Sequence, residues 1–222
     1  MMIEAVQVSK RYDTEKRKMS AEYALESTTL SVDKGEMVIL TGKSGSGKTT
    51  LLHIMAGLLR PSSGYVLIEE RDIYQMNDKE LSDFRNRKIG VVPQGEAAIY
   101  SLTVEENIKL PDMIYGRQST QDIDKILKDM DMYHKKKAYP GELSGGELRR
   151  MSIARAIYQD TDIILADEPT SDLDDENTNI VIQMLRRAAD EGKAVFVVTH
   201  ETDLLPYADR HYIMKSGQMT KA

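Results

Sequence analysis

The sequence predicts an α/β fold: a mainly parallel sheet covered on both faces, with an N-terminal antiparallel β subdomain and an inserted α-helical subdomain. Three observations predict it. Short runs at Met37–Thr41, Ile163–Ala166 and Val195–Val198, apolar except for Thr41, have the length and branched content of strands buried on both faces. Helical patterns alternate with these runs, as in successive βαβ units. From Gly95 to about Asp160 the strand signals vanish while helical patterns continue.

Taken in order, Val6 and Val8 alternate with polar neighbours in a first strand, and alternation returns over Tyr23–Val32 after the polar stretch Asp13–Ser20. This pair reads as an antiparallel hairpin region. Lys34-Gly35-Glu36 makes a turn, Met37–Thr41 is a buried strand, and a glycine-rich loop then opens a helix that runs to about Leu59. Arg60-Pro61-Ser62-Ser63-Gly64 stops that helix. Tyr65–Ile68 and Ile89–Val92 are further strands, separated by a short helix near Asp78–Asn86. Helices are expected at Thr103–Leu110, Thr120–Met130 and Gly146–Tyr158. The core then resumes with a strand at Asp162–Asp167, a helix at Glu176–Asp190, a strand at Ala194–Thr199 and a last one at Tyr212–Lys215. The expected organisation is one domain, with a core of about 1–94 and 161–222 and a helical subdomain of about 95–160. At 222 residues the chain can bury one large core.

Bulk properties exclude several classes. With 41% hydrophobic and 30% charged residues the chain is neither disordered nor fibrous. Its apolar runs fall far short of the roughly 20 residues that span a bilayer. Met1–Lys10 alternates rather than forming a basic and then apolar leader, so a cytoplasmic chain is expected. The absence of cysteine fits a reducing compartment. A net charge of −6 argues against a general nucleic-acid binder.

Gly42-Lys43-Ser44-Gly45-Ser46-Gly47-Lys48-Thr49 lies between a strand and a helix and matches the phosphate-loop pattern at every required position. Its glycines let successive N–H groups turn toward phosphates, and the helix N-terminus adds partial positive charge. Lys48 is expected to bridge the phosphates and Thr49 to offer its hydroxyl to Mg²⁺; Thr50 adjoins them as a further ATP-binding candidate. The core is therefore that of a P-loop NTPase. The strand Ile163–Ala166 delivers Asp167 and Glu168 to the carboxyl edge of the sheet, where ligands bind in such folds. Asp167 would hold Mg²⁺ through its water shell, while Glu168 would orient or deprotonate an attacking water. Leu143-Ser144-Gly145-Gly146-Glu147 presents a hydroxyl, bare amides and a helix start at one place, a second anion site. Lys135-Lys136-Lys137 reads as a solvated face and the thirteen methionines as core packing.

The order phosphate loop, Gln94, Leu143–Glu147, Asp167-Glu168 and His200 resembles the ATP-binding-cassette (ABC) ATPases, over essentially the whole chain from Tyr12 onward. The resemblance implies that Ser144, Gly145, Gly146 and Glu147 face the γ-phosphate bound to a second copy, so that two ATP molecules are sandwiched in a homodimer. It implies that His200 contacts the γ-phosphate and holds Glu168 and the water, and that Gln94 reaches Mg²⁺ and the water at the joint with the helical subdomain. Glu147 stands where Gln is common in the family. Tyr12 matches the aromatic that stacks on adenine, with Tyr23 a competitor. Ser171-Asp172-Leu173-Asp174 matches the loop through which the copies communicate, although Asp174 equally suits a helix cap.

Arg87-Lys88-Ile89-Gly90, Thr103–Ile108 with Leu110-Pro111, and Leu165–Thr170 are closest to the ATPases of lipoprotein-releasing, macrolide-efflux and antimicrobial-peptide-resistance exporters. A membrane permease partner and a peripheral place on the inner face of the cell membrane follow from that likeness. Gly95–Tyr100 departs from the usual pattern in the region that faces the permease. Two readings stand beside transport: a regulatory cassette acting on a membrane protein without moving a substrate, and a soluble cassette of DNA repair or translation. The latter class usually carries coiled coils, zinc-binding cysteines or a second cassette, and none is present in this sequence.

Overall fold

A computed structural model describes residues 1–12, 23–95, 97–116 and 118–222. The polar stretch after Tyr12 therefore lies outside the described residues. Strands β1 (Ile3–Arg11) and β2 (Tyr23–Val32) pair antiparallel, as their alternation predicts. With β4 (Ser63–Ile68) and the two-residue β5 (Arg71–Asp72) they form a four-stranded antiparallel sheet in the order β2-β1-β4-β5. Gly64 lies in the left-handed region, and a Cβ there would stand 2.4 Å from the Gln7 carbonyl, so β4 can approach β1 only through a glycine.

The second sheet has the order β10-β9-β3-β8-β7-β6. Strands β3 (Met37–Gly42), β6 (Ile89–Val92), β7 (Ile163–Asp167), β8 (Ala194–Thr199) and β9 (Arg210–Lys215) run parallel, and β10 (Gln218–Lys221) closes the edge antiparallel. Successive side chains of the central strands point to opposite faces and are buried on both, so the sheet divides two cores. Met37, Ile39, Ile164, Ala166, Val195 and Val197 face one, and Val38, Leu40, Ile163, Leu165, Phe196 and Val198 face the other. Phe196 is wholly buried at this centre. Truncating it to alanine would cost about 3–5 kcal/mol.

Helix α1 (Lys48–Met55) follows the glycine loop and packs into the second core with the antiparallel sheet. It stops one turn earlier than the pattern suggests, because Gly57 turns left-handed and the N–H groups of Leu58 and Leu59 both fold back to the His53 carbonyl. Helix α2 (Asp78–Lys88) starts with a capping box between Asn77 and Glu80.

Between β6 and β7 the described residues contain no strand. Helices α3 (Val104–Ile108), α5 (Ile123–Asp129) and α6 (Gly145–Tyr158) pack, with α7 (Asp175–Asp190), against the first core, while α4 (Leu110–Tyr115) buries no residue. The expected helix through Leu110 is two, since Pro111 suits a helix start. The three lysines are not simply solvated: Lys137 and Lys136 pair with Glu105 and Asp124 at 2.6 Å, and Lys135 lies 3.7 Å from Glu147. Lys109 and Lys137 hold the Glu105 carboxyl at about 2. Among the described residues no helix is long and apolar enough to cross a membrane.

Candidate active site and its second loop

Strand β3 ends in the glycine loop because two neighbours exclude any side chain there. A Cβ on Gly42 would stand 2.4 Å from the Met214 carbonyl, and one on Gly47, at φ 109°, would stand 2.4 Å from the Ala24 carbonyl. The Gly217 N–H donates to the Ser46 carbonyl at 2.8 Å, so the β9–β10 turn also braces the loop. A cleft of about 630 Å³ opens over Gly42, Lys43, Ser44, Gly45 and Ser46, walled by Ile213–Ser216. No side chain caps the N-terminus of α1, and its first turn carries no acidic residue. Its amides are thus available to an anion.

Lys48 is buried beside this loop. Its Nζ donates to the Gly42 carbonyl at 2.7 Å and lies 3.4 Å from Glu168 Oε1. Thr49 donates its hydroxyl to Asp167 Oδ1 at 3.2 Å; Thr50 is half-buried in the same helical turn. Asp167 is 1% exposed, and its Oδ2 has no partner. Burial pushes the Asp167 carboxyl up, and the Thr49 hydrogen bond opposes this. A buried carboxylate oxygen with nothing to bind, next to a hydroxyl, suits a divalent cation.

Glu168 sits at φ 47°, a conformation disfavoured for a residue with a side chain, and its N–H is held by the Val198 carbonyl at 2.8 Å. That twist turns its carboxylate inward. Oε1 faces Lys48, while Oε2 accepts from the His200 N–H at 3.1 Å and meets His200 Nδ1 at 2.8 Å. A carboxylate acceptor there requires Nδ1 to carry the proton. Lys48, Glu168 and His200 are therefore in contact, with Thr49 and Asp167 alongside.

Ser144 is the N-cap of α6: its hydroxyl accepts from the Glu147 N–H at 3.2 Å, and Glu147 Oε2 accepts from the Ser144 N–H at 2.7 Å. The helix starts at Gly145, and Glu147 completes the capping box. Burial pushes the Glu147 carboxyl up, but the Ser144 hydrogen bonds, Lys135 and Arg150 leave it lowered. Gly146 lies under the Asn177 side chain, which a Cβ would meet at 3.3 Å. Ser144 and Gly145 remain exposed.

Gln94 does not line the phosphate-loop cleft. It lines a second cavity of about 350 Å³ with Gly145, Arg149, Ser171, Asp172 and Leu173. Asp174 caps α7, its Oδ1 accepting from the Asn177 N–H at 2.8 Å and from the Asn177 side chain at 2.7 Å. These bonds hold its carboxyl low. Tyr12 and Tyr23 are about equally exposed, at 48% and 49%, one after β1 and the other opening β2. Arg149, which the sequence does not single out, is buried with its guanidinium among backbone carbonyls from Pro93 to Pro169.

Sequence comparison agrees with this geometry. A profile of the ABC transporter family matches residues 25–171. The chain belongs to the ABC transporter family. It is an ATPase cassette of that family, and its solved relatives share the fold. Over 199 residues it is 39% identical to the lipoprotein-releasing system ATP-binding protein LolD of Shewanella oneidensis, covering 88% of this chain and 86% of that one. It is 37% identical over 198 residues to the macrolide export ATP-binding/permease protein MacB of Campylobacter jejuni and 36% identical over 226 residues to the methionine import ATP-binding protein MetN 1 of Bacillus anthracis. The cassette covers 88% and 100% of itself in those matches but spans only 31% and 64% of those relatives. A dimeric ATP-binding cassette solved in a post-hydrolysis state with ADP and Pi superposes with a TM-score of 0.88 at 33% identity, covering 99% of this chain and 98% of that one.

Proposed function

We propose that this cassette is the ATP-binding and ATP-hydrolysing subunit of a transporter, that two copies close around two ATP molecules, and that closure drives a conformational change in a separate membrane permease. One observation carries the reading: the chain's two anion-binding loops line different cavities, the phosphate loop one and Gly145 of the signature the other. A single ATP on the phosphate loop leaves the signature amides without a ligand, and a second copy supplies one.

In this reading the amides of Lys43–Gly47, Lys48, Thr49 and Thr50 bind the phosphates, and an exposed tyrosine, Tyr12 or Tyr23, stacks on adenine. Lys48 leaves Glu168 for the phosphates. Glu168 takes a proton from water as the water oxygen bonds to the γ-phosphorus and the bridging bond to the β-phosphate oxygen breaks; His200 keeps the carboxylate aimed. Mg²⁺, held by Thr49 and Asp167 and reached by Gln94 from the neighbouring cavity, would offset phosphate charge when bound. The orphaned Asp167 oxygen supports that assignment.

An exposed apolar face supports a permease partner. Leu58, Ile114 and Tyr115, 42–62% exposed, line a groove of about 240 Å³, and Met113, exposed as well, is next to Ile114 in the chain; a contiguous exposed apolar patch of this kind marks an interaction surface. An apolar cytoplasmic segment of the permease is its proposed occupant, which places the cassette on the inner face of the membrane. Specific ATPase activity is expected to rise with chain concentration and level off once dimers dominate. A specific activity that stays constant on dilution to well below the assay range would refute the paired arrangement.

A further inference from the structure

Arg149 binds no carboxylate directly, yet every one of its donors is spent. Nε donates to the Pro169 carbonyl at 3.0 Å; Nη1 donates to those of Pro93 at 2.6 Å and Gly95 at 3.4 Å; Nη2 donates to Asp167 at 2.8 Å and, more closely still, to Glu168. The side chain is buried, and all five acceptors are backbone. A guanidinium is the one side chain able to reach five carbonyls in a plane.

The five carbonyls belong to two segments that carry proposed chemistry. Pro93 and Gly95 flank Gln94; Asp167, Glu168 and Pro169 surround the twisted peptide that aims the Glu168 carboxylate. The arginine itself rides on α6, five residues after Ser144, in the same rigid helix as the signature. A shift of α6 therefore cannot leave the Glu168 backbone or the Gln94 segment where they were, because five hydrogen bonds must move or break. The Glu168 carbonyl is additionally held by the Ser171 hydroxyl at 3.1 Å, which ties the same peptide to the loop leading to α7.

We infer that Arg149 is a positioning residue that passes the placement of the signature helix to the carboxylate of Glu168 and to the flanks of Gln94. The inference rests on the reading of Glu168 as the group that activates water. It assigns Arg149 no contact with ATP, so its loss should leave nucleotide binding in place and lower turnover.

The test uses Arg149→Lys, which keeps the charge but not the planar fork, and Arg149→Ala with and without added methylguanidinium. Turnover should fall roughly tenfold or more in both, while the affinity for ATP stays within about twofold, since an interaction made only at the reacting centre lowers kcat and not binding. Methylguanidinium should restore part of the Arg149→Ala turnover in a saturable way and do nothing for the parent. In a Glu168→Gln background Arg149→Lys should cost little further turnover, because two residues acting through one group are not additive. Unchanged kcat, an equal loss in affinity and kcat, an additive loss in the double variant, or failure of both variants to fold would each reduce Arg149 to a structural brace. If Glu168→Gln itself hydrolyses ATP normally, the reading of Glu168 fails instead, whatever Arg149 does.

Discussion

The phosphate loop and the signature loop use the same devices, glycine, a hydroxyl and a helix start, yet their surroundings are opposite. In the first the charges are matched within the chain although the amides stay open: Lys48 is buried against Glu168, Glu168 is held by His200, and the loop is braced by Gly217. The second is open: Ser144 and Gly145 face solvent, and its charged neighbours, Glu147 and Lys135, sit at the side. A loop whose charges are matched within the chain can wait without its ligand. Ser144 and Gly145, exposed at the start of α6, are open to an anion from outside the chain, and that contrast is what the two-chain reading uses.

Three changes bear on the contrast, from the largest effect to the smallest. Glu168→Gln removes the proton acceptor but keeps shape and burial, so hydrolysis should fall on the order of a hundredfold or more while ATP still binds. Single-turnover and binding assays on the same preparation check it, and near-normal turnover would remove Glu168 from its role. Ser144→Arg should break the open loop alone. Heterodimers with a Glu168→Gln chain, isolated through different tags on the two chains, should trap at most one ATP; two trapped molecules per heterodimer would mean that the signature does not act across chains. Smaller still is the effect of Glu105→Gln, which loosens the charged patch that ties the Lys135–Lys137 segment to α3. Because the Glu105 carboxyl is lowered to about 2, its stabilisation is present above the ordinary glutamate range and fades as pH falls from about 4.5 toward 2. The variant should melt lower than the parent at neutral pH, and the gap should close on acidification.

Much of this was legible in the sequence, for physical reasons. β3, β7 and β8 are buried on both faces, so their apolar runs could not belong to surface elements. The helix expected from Gly146 begins at Gly145, while the capping box between Ser144 and Glu147 emerged only from the structure. By contrast β5 and β10 are short, exposed edge segments whose side chains carry no burial signal. The sequence left Asp174 open between a cap and a contact between copies; the hydrogen bonds from Asn177 make it a cap, and that position leaves its proposed communicating role untouched. Arg149 was invisible because its meaning is written in five carbonyls that only the tertiary fold gathers around it.

The steric clashes at Gly42 and Gly47 have a consequence for how this loop tolerates sequence drift. Neither glycine is required solely by a nucleotide: Gly42 is fixed by the backbone at Met214 and Gly47 by the backbone at Ala24. An alanine at either place would collide with the protein's own chain before any phosphate arrived. The binding loop is thus held to its composition from two distant parts of the polypeptide, and it would remain glycine there even in a descendant that had lost the nucleotide.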